Sequence, residues 1–127
     1  MFHFTVETEK TLDQAVQDLE KELKEDSFGV LWDFNVKETL NKKGFDFDQT
    51  FRILEVCNPK EAKEVLSLNS LVSYFLPCKI VVYENGDKNY IGMPKPTMFM
   101  ENIDDPALKE KAKVIEDRLV VAINKAK

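Results

Sequence analysis

Alternation between apolar and polar residues constrains this chain most strongly, because a period of two is typical of half-buried strands. Phe2, Phe4 and Val6 alternate with polar residues at the start of the chain. Similar segments follow Gly29 and lie near residues 49–57, 78–83 and 88–93. The pattern therefore predicts five strands.

Helix start signals separate these strands. Thr11-x-x-Gln14 forms a capping box, Asn58-Pro59 combines a good N-cap with proline at the first helical position, and Asp104-Asp105-Pro106 opens a last helix. Asn85-Gly86 predicts a type I′ hairpin turn between the fourth and fifth strands. The polar stretch 37–48 is consistent with either a short helical turn or a loop.

The resulting order, β-α-β-β-α-β-β-α, predicts an α+β fold. We expect one domain over residues 1–127, a sandwich of a mostly antiparallel sheet of about five strands with helices on one face. A chain of this length is sufficient for one hydrophobic core.

The net charge of the chain and the length of its apolar segments argue against several classes of function. The formal net charge of -5 argues against nucleic-acid binding, which needs clustered Lys and Arg. The N-terminus lacks the basic region of a signal peptide, and the longest apolar stretch, residues 71–78, is far too short to span a membrane. Two cysteines in this context are typical of reduced thiols, so we expect a cytoplasmic protein.

Cys57 and Cys78 are the first candidates for chemistry. Cys57 precedes a predicted helix N-terminus, where backbone N–H groups favour a thiolate, but the pattern favours instead a small apolar residue that closes a strand. Cys78 follows Pro77 and is better explained by packing. If the intervening helix carries the chain back across the sheet, the two cysteines lie at opposite edges, too far apart for a disulfide.

His3 is the only histidine. If the first and third strands are neighbours, His3 lies near Cys57, and the pair could activate a nucleophile or supply two metal ligands. No third or fourth ligand, Cys-x-x-Cys spacing or Gly-rich phosphate loop accompanies them. We therefore predict no metal site and no cofactor, and the pattern identifies no catalytic residue.

Large apolar residues occupy both alternating faces of the third and fourth strands. Antiparallel strands covered by helices on one side should expose a polar second face. A second apolar face requires a cover, which could be a partner subunit, the apolar loop at residues 69–77, or a ligand. The segment 93–100, with Met98, Phe99 and Met100, could contribute to it.

Two phrases, from Ile53 to Pro59 and from Leu76 to Glu84, resemble the uncharacterised domain family DUF302. They contain Cys-Asn-Pro and Leu-Pro-Cys, the more specific parts of a likeness that extends over nearly the whole chain. The resemblance implies an α+β fold grouped with TBP-like domains, in a dimeric bacterial or archaeal cytosolic protein. It implies no catalytic residues, and the TBP-like grouping describes shape and not DNA binding.

Two functional hypotheses follow. The leading one is a non-enzymatic homodimeric domain that binds a small ligand or a protein partner in an apolar cleft. The alternative is a thiol-dependent redox, sulfur-transfer or metal-handling protein that uses Cys57.

Overall fold

A five-stranded antiparallel sheet forms the centre of the computed structural model, which describes residues 1–127. The strands are β1 (His3–Thr8), β2 (Gly29–Asn35), β3 (Phe51–Cys57), β4 (Cys78–Asn85) and β5 (Lys88–Pro94). Their order across the sheet is β1-β5-β4-β3-β2. The predicted fold class is confirmed, and every neighbouring pair of strands is antiparallel.

Five helices complete the fold: α1 (Leu12–Glu25), α2 (Val36–Lys42), α3 (Pro59–Leu68), α4 (Pro96–Phe99) and α5 (Pro106–Ala126). Two 3₁₀ segments, Ser70–Phe75 and Met100–Asn102, follow α3 and α4. The predicted start signals are confirmed, because Thr11, Asn58 and Asp105 each accept a hydrogen bond from the backbone N–H three residues on. Both alternatives predicted for residues 37–48 occur: α2 forms a short helix as far as Lys42, and residues 43–48 form a turn and a loop.

The core lies between one face of the sheet and the two long helices, α1 and α5. Alternate residues of β3 and β4 point into it, including the fully buried Leu54, Val56, Ile80 and Val82. The core comprises 21 buried hydrophobic residues drawn from the sheet and from the helical layer. The sheet therefore has one covered face.

A charged cluster joins α5 to the ends of α1 and α3. The Arg118 guanidinium donates from Nε to Asp26 Oδ2 at 2.8 Å and lies 3.3 Å from Glu61 Oε1. It also lies over the Phe28 ring, 5.0 Å from the centroid. The hydrogen bond from Arg118 holds the pKa of Asp26 below its ordinary value. This cluster fixes the helical layer near the end of the sheet where β3 ends.

The opposite face of the sheet, which we call the open face, carries a row of aromatic rings. Phe51, Tyr83 and Tyr90 are consecutive neighbours on β3, β4 and β5, with centroids 5.7 and 5.5 Å apart. Ile53 and Val81 form the next cross-strand pair. All five side chains are only half-buried, because the two long helices pack on the other face.

The segment 93–100 does not cover the open face. Met93 and Met100 are buried in the core on the helical side, and Phe99 stacks on Phe75. The suggestion that this segment supplies the cover was wrong. Pro94 ends β5, and the chain then turns toward the helical layer to form α4.

Candidate ligand-binding cavity

A cavity of about 270 Å³ lies where β4 begins and β5 ends. The β4–β5 ladder stops at Val81 and Gly92, although β4 continues to pair with β3 as far as Cys78 and β5 continues to pair with β1 as far as Pro94. Proline lacks a backbone N–H and is suited to the end of a ladder. The sheet is therefore unpaired along this short stretch, and the cavity lies beside it.

Apolar side chains from the helical layer form the inner wall. They come from α3, α5 and the two 3₁₀ segments, and all are at least nine-tenths buried: Val65, Val72, Met100, Leu108, Ala112, Ile115 and Leu119. No charged side chain lies among them. The inner wall is therefore suited to an uncharged, apolar group.

Aromatic residues frame the cavity nearer to solvent. Phe75 and Phe99 stack with centroids 5.0 Å apart and an interplanar angle of 12°, which joins the first 3₁₀ segment to α4. Tyr74 is also part of the lining and is 79% exposed. These residues sit on short segments, which are easier to displace than the long helices beneath them.

Only a few polar groups reach the cavity. The Cys78 thiol is half-buried in its wall, and Glu55 and Lys79 also line it. Glu55 and Lys79 are direct cross-strand partners on the face of the sheet away from the core. Strand alternation directs both side chains to the open face, and we infer that they flank the mouth of the cavity, which opens toward that face.

The structure places Cys57 and Cys78 on neighbouring strands, so their predicted separation to opposite edges was wrong. Cys78 is the register partner of Val56, the residue before Cys57. The connection through α3 and the 3₁₀ segment leaves and returns at the same end of the sheet, so β4 begins where β3 ends. Strand alternation directs Cys78 toward the core side and Cys57 toward the open face. Both thiols are free.

Burial raises the pKa of the Cys78 thiol to about 11, and the nearby Cys57 contributes to the shift. Cys78 is therefore a neutral thiol at physiological pH, consistent with the packing role that its sequence context favoured. Cys57 directly precedes Asn58, the N-cap of α3, as predicted.

His3 does not meet Cys57. Strand β1 pairs with β5, where His3 lies opposite Pro94, and both β5 and β4 separate β1 from β3. Three strand spacings amount to roughly 14 Å. The predicted pairing was wrong because it assumed that β1 and β3 are neighbours. His3 Nδ1 instead lies 2.9 Å from Thr5 Oγ1.

No group of three or more His, Cys, Asp or Glu side chains is arranged to hold a metal ion. None of the helices has the length and apolar character needed to cross a bilayer.

The cavity includes residues that the sequence reasoning did not select. Glu55 and Lys79 lie within the two family phrases but look like ordinary solvent-facing strand residues. Phe75 was included in an apolar loop without a role. The position of Glu55 and Lys79 follows from which residues of β3 and β4 share a face and from the β3–β4 register, and the sequence does not give that register.

A family model described as "Domain of unknown function DUF302" matches residues 4–126. The chain belongs to the DUF302 family. A crystal structure of an uncharacterised conserved DUF302 protein from Bacillus stearothermophilus is similar at 50% sequence identity, with a TM-score of 0.96. The alignment covers 100% of this chain and 99% of that one. No curated protein matches the sequence.

Proposed function

We propose that this DUF302 chain is a non-enzymatic homodimeric domain that binds a small ligand, whose apolar part lies in its cavity. The observation that carries the proposal is the cavity of about 270 Å³ with its wall of buried apolar side chains. Unfilled apolar space costs a protein stability, since the residues around it lose packing contacts. An apolar ligand would restore those contacts.

Ligand binding is tested with indole, a neutral bicyclic molecule, in a thermal unfolding titration. A ligand that binds only the folded protein raises its stability by about 1.4 kcal/mol at ten times Kd. We expect a saturable rise in Tm for the wild type and its loss in Ala112→Leu, which places a larger side chain in the cavity wall. An indole response that is absent, or unchanged in Ala112→Leu, contradicts binding at this site.

The open face supports the homodimer. Five strands about 4.8 Å apart and about 20 Å long give a face of roughly 500 Å², so two copies would bury roughly 1,000 Å². That area equals the minimum of about 1,000 Å² expected of a biological interface and requires nearly the whole face to be buried. The rows of Phe51, Tyr83 and Tyr90 and of Ile53 and Val81 carry no formal charge, so two copies of an acidic chain could approach there without charge repulsion. The charged pair Glu55 and Lys79 is the next pair beyond Ile53 and Val81 and would lie at the polar, solvent-accessible rim of this interface.

The dimer is tested by light scattering on two matched variants. Val81→Lys places a charge in the middle of the open face, and Val121→Lys places the same charge on the exposed side of α5. We expect the wild type and Val121→Lys to be dimers and Val81→Lys to be a monomer. A monomeric wild type, or a dimer that survives Val81→Lys, would contradict the use of this face.

A cytoplasmic location and the grouping with TBP-like folds belong to the same proposal. The two free thiols support the location, because reducing compartments preserve them. The antiparallel sheet with helices on one face is compatible with the grouping.

Thiol chemistry at Cys57 is a second candidate function. It is favoured by the position of Cys57 immediately before the N-cap of α3, on the strand next to Cys78. Alkylation of wild type and Cys57→Ser with iodoacetamide across pH 6–10 tests it. A Cys57 reaction that follows the pH dependence of an unperturbed thiol would contradict an activated nucleophile.

A further inference from the structure

Glu55 and Lys79 are two unpartnered charges at the mouth of the cavity. They are direct cross-strand neighbours, yet neither takes part in any salt bridge or side-chain hydrogen bond. Lys111 on α5, by contrast, contacts both Glu61 and Glu64. The mouth therefore offers one free carboxylate and one free ammonium side by side.

The size of the cavity sets the size of the ligand's apolar part. An apolar cavity of about 150 Å³ accommodates benzene. On the same scale, a cavity of about 270 Å³ holds ~11 non-hydrogen atoms. A bicyclic aromatic group or a branched apolar chain of similar size meets this limit.

The position of the charges sets the ligand's polar part. The inner wall contains no charged side chain, so any charged group of the ligand must remain at the mouth of the cavity. Directly opposed strand residues have Cβ atoms about 5 Å apart. A ligand head of a single sign would be attracted by one of these two side chains and repelled by the other. A head with both signs matches the pair.

We propose that the cavity binds a free α-amino acid with a large apolar side chain, with its ammonium group beside Glu55 and its carboxylate beside Lys79. The inference rests on the proposed ligand-binding function and adds the chemical class of the ligand. A peptide end supplies only one of the two charges, so the free amino acid is the better match.

Calorimetric titration with four molecules that share an indole body tests this head group. L-tryptophan carries both charges, indole-3-propionate only the carboxylate, tryptamine only the ammonium, and indole neither. Unit charges about 5 Å apart in water change an equilibrium constant about fourfold. At low ionic strength we therefore expect L-tryptophan to bind at least about fourfold tighter than each singly charged compound, with the difference reduced by added salt.

Two conservative variants assign the charges to their partners. Lys79→Met should weaken L-tryptophan and indole-3-propionate about fourfold without weakening tryptamine. Glu55→Gln should weaken L-tryptophan and tryptamine without weakening indole-3-propionate. Both positions face away from the core, so neither variant alters its packing.

The outcomes separate this inference from the proposed function. If all four compounds bind equally, or if neither variant changes the order, the zwitterion is refuted while the apolar site stands. If a singly charged compound binds tightest, the ligand class is also wrong. If none of the four binds, the ligand-binding function itself fails together with the inference.

Discussion

Replacing Ala112 with leucine tests whether the cavity provides usable space. Ala112 lies on α5, is 3% exposed and lines the cavity, so the longer side chain would extend into unfilled volume. Leucine adds three carbons, and burying each contributes about 0.8 kcal/mol, giving about 2.4 kcal/mol. Ordering the side chain costs about 0.5–1 kcal/mol. We expect a net stabilisation of about 1.5 kcal/mol in the ligand-free protein.

The assay is urea unfolding, followed by thermal unfolding of the same samples. For a chain of this size, a gain of about 1.5 kcal/mol corresponds to a rise in Tm of about 4–8 °C. The slope of the free energy of unfolding against urea should not change, because the surface exposed on unfolding is nearly the same. The same variant should lose the indole response, so one substitution raises stability and removes binding.

Ala15→Leu is the matched control. Ala15 is fully buried on α1 and does not line the cavity, so the added carbons meet a packed core. Overpacking of that kind destabilises by about 1–3 kcal/mol. If Ala112→Leu is destabilised as much as Ala15→Leu, the space beside Ala112 is too small for three carbons, and the reasoning about the cavity is refuted.

Three further predictions follow from particular contacts. At pH 8 the raised pKa of Cys78 leaves ~0.1% of this thiol as thiolate. Its alkylation by iodoacetamide should therefore be about 100-fold slower than that of an ordinary thiol, and the rate should rise tenfold per pH unit toward pH 11. An alkylation rate equal to that of the urea-unfolded protein would contradict this. Gly92→Ala should lower the free energy of unfolding in urea by about 1–3 kcal/mol, because the added Cβ would lie 2.7 Å from Thr5 Oγ1. In the control Gly29→Ala the added Cβ has no atom within 4 Å, so stability should change by less than about 0.5 kcal/mol. Arg118→Met should lower the free energy of unfolding by about 1–3 kcal/mol, since it leaves two carboxylates without their shared cation; an effect near zero would mean that the cluster is a solvent-screened surface pair.

Stability should also decrease in alkaline solution because of Cys78. Its pKa rises from 9.0 in an exposed thiol to about 11 in the folded protein, so the thiol's contribution is fully present below about pH 9 and is lost as pH rises through 11. Two pKa units correspond to about 2.7 kcal/mol. The difference in unfolding free energy between wild type and Cys78→Ala, measured from pH 7 to pH 11, should shrink by up to that amount. A constant difference would contradict burial of the thiol.

Local structure was largely predictable because its signals lie within a few residues of one another. Thr11 and Asn58 each accept a hydrogen bond from a backbone N–H three positions on, so the capping pattern is complete in the sequence. The hairpin between β4 and β5 is also local, but the predicted type I′ turn over Asn85-Gly86 was wrong. Asn85 pairs with Lys88 at the end of the strands, and the turn residues are Gly86, with φ of 69°, and Asp87. These features do not depend on which strands become neighbours.

The candidate site depended on contacts between distant segments. Glu55 and Lys79 are separated by a helix and a 3₁₀ segment, and only the β3–β4 register makes them neighbours at the cavity mouth. The same register brings Cys78 beside Cys57, whereas the sequence-based topology separated the two cysteines. His3 was assigned to the wrong neighbour for the converse reason, because β5 and not β3 pairs with β1.

The sequence by itself determined the five strands, the three helices with cap signals, the α+β class and the family. The tertiary structure alone decided the strand order, the side-by-side placement of Glu55 and Lys79, and the end of the β4–β5 ladder beside which the cavity lies. Periodicity fixes which residues of a strand share a face, but it carries no information about which strand lies alongside. That choice depends on how the two long helices and the sheet bury their apolar residues together, which is a property of the whole chain.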